Sequence, residues 1–229
     1  MKLLAIDSSG SAASVSVGTE DRLLAQYFTD DKLTHSSKLM PMADSVLKSL
    51  NMTVEDIDVF GAVTGPGSFT GLRIGIASVK GMAAATGKPV VGINSIMAMA
   101  YNFACCDLPI YPLTDARNMQ VYTGCCRFEN GRGREIIPPM CENIENLSAA
   151  ITAPSIVMGD GAVVYKEILV KNPNIIFAPP HLNTLSGAGA YAGMMQLVRD
   201  GKAMPGSALL PLYLKKPQAE QERERKLGL

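Results

Sequence analysis

"TGPGSFTGLRIGIASVKGMA", Thr64 to Ala83, is the stretch on which the reading of this chain turns. Three glycines and a proline fall between Thr64 and Gly71, and small and apolar residues at helical spacing follow at once. Before it, "DVFGAV" is a buried-strand pattern; after it, "KPVVGIN" is another. A strand, a glycine-rich turn and a helix feeding a second strand is the unit of a parallel α/β sheet. The same unit carries the phosphate loops of nucleotide-binding proteins, but neither standard loop is present. A P-loop needs Lys-Ser/Thr after its last glycine, and here Gly71 is followed by Leu72 and Arg73. A dinucleotide fingerprint needs G-x-G-x-x-G, and Gly65-Pro66-Gly67 is followed by Gly71 one position too late. Two readings stay open. The helix start, with Ser68 and Thr70 as hydroxyl donors, is a candidate anion site. Alternatively, the loop is a hinge into a closely packed helix whose small residues include Gly71, Gly75, Ala77, Gly81 and Ala83. The residues favour the hinge.

Upstream, "KLLAIDSSGSAASVSVG" reads as strand, tight turn, strand, and "DRLLAQYFT" as a third strand, giving an antiparallel meander with Asp7 at the end of its first strand. Leu39, Met42, Ala43, Val46, Leu47 and Leu50 recur at helical spacing, with Pro41 expected in the first turn or at a kink. Thr53 and Asp56 form an acidic variant of a capping box. After "SIMAMAYNFA", a further helix, the pattern starts again: "PIYPLTDA" and "MQVYTGCCRF" are strands, and "ENGRGRE" is a Gly turn. "SIVMGDGAVVYKEILVKN" is strand, turn and helix, and "TLSGAGAYAGMMQLVRDG" is a helix capped at Gly201. These elements imply an α/β protein of two related lobes: residues 1–106, a smaller lobe at 107–214, and a polar tail at 215–229.

Composition narrows the function. The chain has 229 residues with Lys+Arg 21 against Asp+Glu 21, and this balance argues against a protein built mainly to grip nucleic acid phosphates. No secretory leader and no membrane-length apolar run is read, so a cytoplasmic protein is expected. The five cysteines, Cys105-Cys106, Cys125-Cys126 and Cys141, lack zinc-site spacing and are expected to be reduced, mostly buried thiols. His35 and His181 are the two histidines, with no nucleophile elbow and no zinc motif around them; His35-Ser36 reads as a helix start rather than a base and nucleophile.

"LLAIDSSGSAASVSV", "HSSKLMP", "GPGSFTGLRIGIASVKGMA", "PVVGINS", "DARNMQVY", "GDGA" and "PLYLK" occur in this order across nearly the whole chain. In this the sequence resembles the bacterial TsaB (YeaZ) family. The resemblance implies the two-lobe actin and sugar-kinase (ASKHA) fold, tandem βββαβα lobes with the second reduced. It also implies kinship to TsaD, which installs threonylcarbamoyl on an anticodon-adjacent adenosine of tRNA. TsaD-like proteins carry Asn-His-x-x-x-His after the glycine-rich helix, an i, i+4 pair able to hold a metal. Here Asn94 is present but Ser95 and Met99 stand where the histidines would be. The resemblance therefore implies no metal, no cofactor and no catalytic residue: a non-catalytic subunit working with TsaD and the ATPase TsaE, with a homodimer when alone and tRNA contact at most indirect.

By superfamily position, Asp7, Ser8, Ser9 and Gly10, with Gly65, Gly67 and Ser68, are candidates for weak nucleotide binding; alternatively Asp7 accepts turn N–H bonds and orders the hairpin. On the residues alone the apolar positions of the first-lobe helices are either core or an outer patch; the resemblance implies a partner face there, with Leu39, Met40, Met42, Ala43, Val46, Leu47, Arg73, Ile74, Ala77 and Lys80 as its candidates and Val46 and Leu47 on its exposed side. The competing functions are an ATP-dependent small-molecule kinase of the same superfamily and a glycoprotease-like metallopeptidase of M22 type.

Overall fold

The computed structural model describes residues 1–30 and 35–215. The N-terminal meander is β1 (Lys2–Asp7), β2 (Ala13–Thr19) and β3 (Leu23–Thr29). Then come α1 (His35–Ser49), β4 (Val59–Gly65), α2 (Phe69–Thr86), β5 (Val90–Asn94) and α3 (Ser95–Ala100). The strands form one sheet in the order β3-β2-β1-β4-β5, antiparallel in the meander and parallel from β1 through β4 to β5. The second half contributes β6 (Ile110–Pro112), β7 (Thr114–Asp115), β8 (Gln120–Glu129), β9 (Arg132–Asn143), α4 (Ile144–Ala150), β10 (Ser155–Met158), α5 (Asp160–Val164), α6 (Lys166–Leu169), β11 (Ile175–Phe177) and α7 (Gly187–Arg199). Its sheet runs β11-β10-β6-β8-β7, with β9 on the other edge of β8.

The expected continuous apolar run of β1 has a direct cause. Leu4 and Ile6 pack with α1 and α2 on one face of the first sheet, while Leu3 and Ala5 pack with α3 and α7 on the other. The second sheet repeats the scheme. Ile110, Cys126, Phe128, Ile156 and Met158 join the α3/α7 core, and Leu113, Val121 and Val157 pack with Ile144, Leu147 and Leu169 of the outer helices. The molecule is therefore layered: α1 and α2, the first sheet, α3 and α7, the second sheet, then α4 to α6. The helix α7 follows the second sheet in sequence but also packs across β1, β2 and β5 of the first, so the central layer serves both lobes.

Local expectations are met at several turns. Asn130 and Gly131 have φ of 53° and 74°, the left-handed pair of a two-residue hairpin between β8 and β9. Gly201 has φ of 69° just past α7, and its N–H donates to Val198 O at 3.0 Å while that of Lys202 donates to Leu197 O at 2.9 Å. Thr53 N–H donates to Asp56 Oδ2 at 2.8 Å, holding that carboxyl below its ordinary pKa, but the box closes only a single 3-10 turn, Val54–Asp56. Pro41 lies in the second turn of α1, not the first. The tail expected at 215–229 lies outside the described residues beyond Lys215.

Candidate functional site

The glycine-rich stretch is a packing surface. β1 ends at Asp7, whose Oδ1 accepts the Ser9 N–H at 2.9 Å and shapes the turn toward β2. That turn is pressed onto the start of α2. Ser68 N–H donates to Ser9 O at 2.7 Å, and Ser8 Oγ donates to Gly71 O at 2.8 Å. A Cβ on Gly67 would collide with the Ser9 carbonyl oxygen, one on Gly71 with that of Ser8, and one on Gly75 would meet Ser8 Oγ at 2.5 Å. These three glycines mark where one backbone lies against another. Ser68 caps α2, its Oγ accepting the Gly71 N–H at 3.2 Å. Asp7, Ser8 and Ser9 are 3%, 2% and 3% exposed, and Gly65 is also buried. The nucleotide candidates are thus brought together, with Asp7, Ser8, Ser9 and Ser68 bonded within the chain; Ser9, Gly10, Gly67 and Ser68 also border the cleft between the lobes.

The cleft holds about 660 Å³. Its far wall comes from the second lobe, including Asp115, Arg117, Tyr122 and Asp160. The "GDGA" turn ties that wall together: Asp160 Oδ1 accepts N–H bonds from Asp115 at 3.1 Å and Gly161 at 2.9 Å. Asp160 is exposed as a residue, but its carboxyl oxygen is held against the Asp115 and Gly161 N–H groups; the loss of hydration there pushes the carboxyl above its ordinary pKa, the nearby Asp115 charge adds to this, and the two N–H donors oppose it. Asp115 Oδ1 accepts from the Tyr165 hydroxyl and the Arg117 N–H, each at 2.9 Å.

At the segment where the resemblance would put two histidines, Asn94 caps α3 by accepting the Met97 N–H at 2.8 Å. Ser95 is 1% exposed and its Oγ donates to Pro66 O at 2.5 Å; Met99 is 3% exposed, inside the α3/α7 core. A hydroxyl whose proton is committed to a carbonyl and a thioether inside an apolar core do not fit a hard or borderline divalent ion. Among the described residues, no group of three or more His, Cys, Asp or Glu is arranged to hold a metal. His35 opens α1 and exposed His181 lies in a 3-10 turn of the second half. All five cysteines are free thiols: Cys105 is exposed, Cys106 and Cys141 are half-buried, and Cys125 and Cys126 are buried with their thiol pKa raised by burial.

The helices of the first lobe require a correction. Leu39, Met42, Ala43, Val46 and Leu47 are 1–5% exposed and belong to the core that α1 and α2 share with the first sheet. They form one stripe, and a helix lying on a sheet turns its apolar stripe inward. Val46 and Leu47 are therefore not on an exposed side. The outer surface of α1 offers Met40, 45% exposed, and that of α2 offers Arg73 and Ala77, with Ile74 half-buried beside them. Lys80 is turned to its own chain, donating to Leu209 O at 3.2 Å. Sequence reasoning missed the neighbours of Arg73. Its guanidinium lies 3.9 Å from the Phe69 ring centroid and its Nε donates to the Tyr213 hydroxyl at 3.1 Å, while Tyr213 stacks on Phe69 at 4.5 Å. The quoted "PLYLK" holds Tyr213, but nothing in its pattern indicates where it packs.

The two lobes, the meander-first order in each half and the cleft between them define an α/β protein of the actin and sugar-kinase class. Component A of (R)-2-hydroxyglutaryl-CoA dehydratase from Acidaminococcus fermentans shares the fold alone, with a TM-score of 0.51 at 12% identity over 88% of this chain and 99% of that one. YeaZ from Pseudomonas aeruginosa superposes with a TM-score of 0.81 at 26% identity, covering 93% of this chain and 99% of that chain. The protein of Bacillus subtilis (strain 168) named tRNA threonylcarbamoyladenosine biosynthesis protein TsaB is 29% identical over 227 residues, 96% of both chains. The family profile described as "TsaD: tRNA N6-adenosine threonylcarbamoyltransferase" matches residues 23–222. The chain belongs to the TsaB (YeaZ) family, within this wider TsaD-type family.

Proposed function

We propose that this chain is a non-catalytic subunit in the biosynthesis of tRNA threonylcarbamoyladenosine, supporting a TsaD-type transferase together with the ATPase TsaE. The observation that carries the reading is the state of Ser95 and Met99. Both face inward, one bonded to Pro66 O and the other packed in the core, where a working relative would need two metal-binding imidazoles. The chain then contributes by contact. The contact surface is the outer side of α1 and α2, where Met40, Arg73, Ile74 and Ala77 lie; Met adapts to imperfect surfaces and Arg anchors interfaces. The same surface pairs two copies when the transferase is absent. In this reading the protein is cytoplasmic and touches tRNA at most through its partners. In the described residues no helix is long and apolar enough to cross a membrane.

The kinase alternative is not favoured, because the Asp7 carboxylate accepts the Ser9 N–H within its own turn and the Ser8–Ser9 segment is bonded to the start of α2. Among the described residues no donor set fits the metallopeptidase alternative. The test is co-elution with a TsaD-type protein on size exclusion. Ala77→Glu puts a charge on the exposed side of α2 without disturbing the core, so complex formation is expected to fail while thermal unfolding stays as in the unmodified chain. Undiminished co-elution of that variant would overturn the docking face.

A further inference from the structure

Residues 204–215 have no long element of their own, yet they are tied down every few residues. Met204 and Val90 exchange both backbone bonds at 2.8 Å, and Leu209 is buried against the α1/α2 core. Leu212 N–H donates to Thr64 O at 2.7 Å, at the head of the glycine-rich loop. Tyr213 follows, stacked on Phe69 and bonded to Arg73. Lys215 then reaches the second lobe, where Nζ donates to Ala116 O at 3.0 Å and Gln120 Oε1 at 2.6 Å, 5.7 Å from the Tyr122 ring centroid. A segment anchored on the first lobe thus crosses the mouth of the cleft and closes on the opposite wall.

The wall it grips is a costly turn. Arg117, Asn118 and Met119 have φ of 61°, 53° and 60°, three successive non-glycine residues in the left-handed region. The Lys215 acceptors, Ala116 and Gln120, flank these three residues on either side. A conformation of this kind persists where its surroundings hold it.

We propose that residues 209–215 form a clasp that couples the outer side of α2 to the width of the interlobe cleft. Arg73 is the link, exposed on α2 and bonded to Tyr213. A carboxylate presented at that side of α2 is the stronger, bidentate acceptor for a guanidinium. Capturing Arg73 frees the Tyr213 hydroxyl, slackens the segment, and loosens the hold of Lys215 on the 116–120 turn. What releases the clasp rests on the docking surface proposed above; the clasp itself is a property of the isolated chain.

The experiment is hydrogen exchange by mass spectrometry on the full chain, comparing Arg73→Ala, Lys215→Ala, the double variant and Tyr213→Phe. Each single change is expected to speed exchange of the 114–122 segment roughly 2- to 13-fold, the factor one net hydrogen bond contributes to an opening equilibrium. The double variant is expected to exceed the larger single effect by little, because both changes act through one segment. Tyr213→Phe keeps the ring stack and removes one hydroxyl, so it gives the same direction with minimal risk to folding; protection of β1 and β4 amides confirms that the fold is intact. Unchanged exchange at 114–122 in Arg73→Ala and Tyr213→Phe, or a double effect equal to the product of the singles, would overturn the clasp. Failure of co-elution with the transferase leaves this result untouched, and failure of this result leaves the docking surface untouched.

Discussion

Replacing Gly71 by alanine and Gly81 by alanine separates packing from helix propensity within a single helix. Both glycines lie in α2, Gly81 in its interior and Gly71 in its first turn; an alanine gains about 1 kcal/mol over glycine in a helix interior and at most about that in the first turn. At Gly81 a Cβ meets nothing within 4 Å, so Gly81→Ala is expected to stabilise by about 0.5–1 kcal/mol. At Gly71 the new methyl would collide with the Ser8 carbonyl oxygen and meet the Ser68 Cβ at 3.3 Å. The obstacle is backbone held by Ser8 Oγ on Gly71 O and Ser68 N–H on Ser9 O, so it cannot swing aside as a side chain would. Overpacking of this kind costs about 1–3 kcal/mol. Displacing the turn loses the Ser8 bond as well, about 0.5–1.5 kcal/mol. Set against a propensity gain of at most about 1 kcal/mol, the net is a destabilisation of about 0.5–3.5 kcal/mol. A central value near 2 kcal/mol lowers Tm by roughly 4–8 °C for a chain of this size. Urea unfolding read by far-ultraviolet circular dichroism measures both variants against the parent. A Gly71→Ala protein as stable as Gly81→Ala would refute the reasoning, because the turn would then not lie on the helix.

Val46→Glu, which buries a carboxylate at a position 3% exposed, is expected to prevent folding rather than merely weaken partner binding, as circular dichroism and solubility would show. Ser95→Ala leaves Pro66 O without its donor and is expected to cost about 1–3 kcal/mol in chemical denaturation. Thiol labelling of the folded chain at mildly alkaline pH is expected to modify Cys105 first and to spare Cys125 and Cys126, which become reactive on unfolding; mass spectrometry of digests locates the label. The raised pKa of Asp160 means the folded chain holds its proton to higher pH than the unfolded chain does, so this group's contribution falls as pH rises from the ordinary carboxylate range through the raised value. Asp160→Asn retains an oxygen for both N–H donors and removes the charge, so unfolding measured across weakly acidic pH is expected to lose that decline.

Much of the fold was legible because its signals are local. The continuous apolar run of β1 follows from burial on both faces, and the Asn-Gly hairpin and the Gly201 cap follow from left-handed backbone. The glycine-rich stretch was legible as a hinge, but its partner was not. Only the fold brings Ser8 and Ser9, some sixty residues upstream, onto Gly67 and Gly71. Leu39, Met42, Val46 and Leu47 were read as an outer patch although they make a single stripe, and one stripe cannot serve a core and a partner at once. The position of α7 against the first sheet and the path of residues 209–215 carry no periodic signal, since both depend on contacts between distant segments. Ser95 and Met99 were legible as departures from a metal-binding pair; that Ser95 bonds Pro66 O was not.

Threonylcarbamoyl transfer to tRNA, assayed with this chain alone, with a TsaD-type protein and TsaE alone, and with all three together, tests most directly whether the protein works by contact. No transfer by this chain alone is expected, and adding it to the other two is expected to raise their activity, a gain that Ala77→Glu abolishes. Transfer catalysed by this chain on its own would contradict the whole reading.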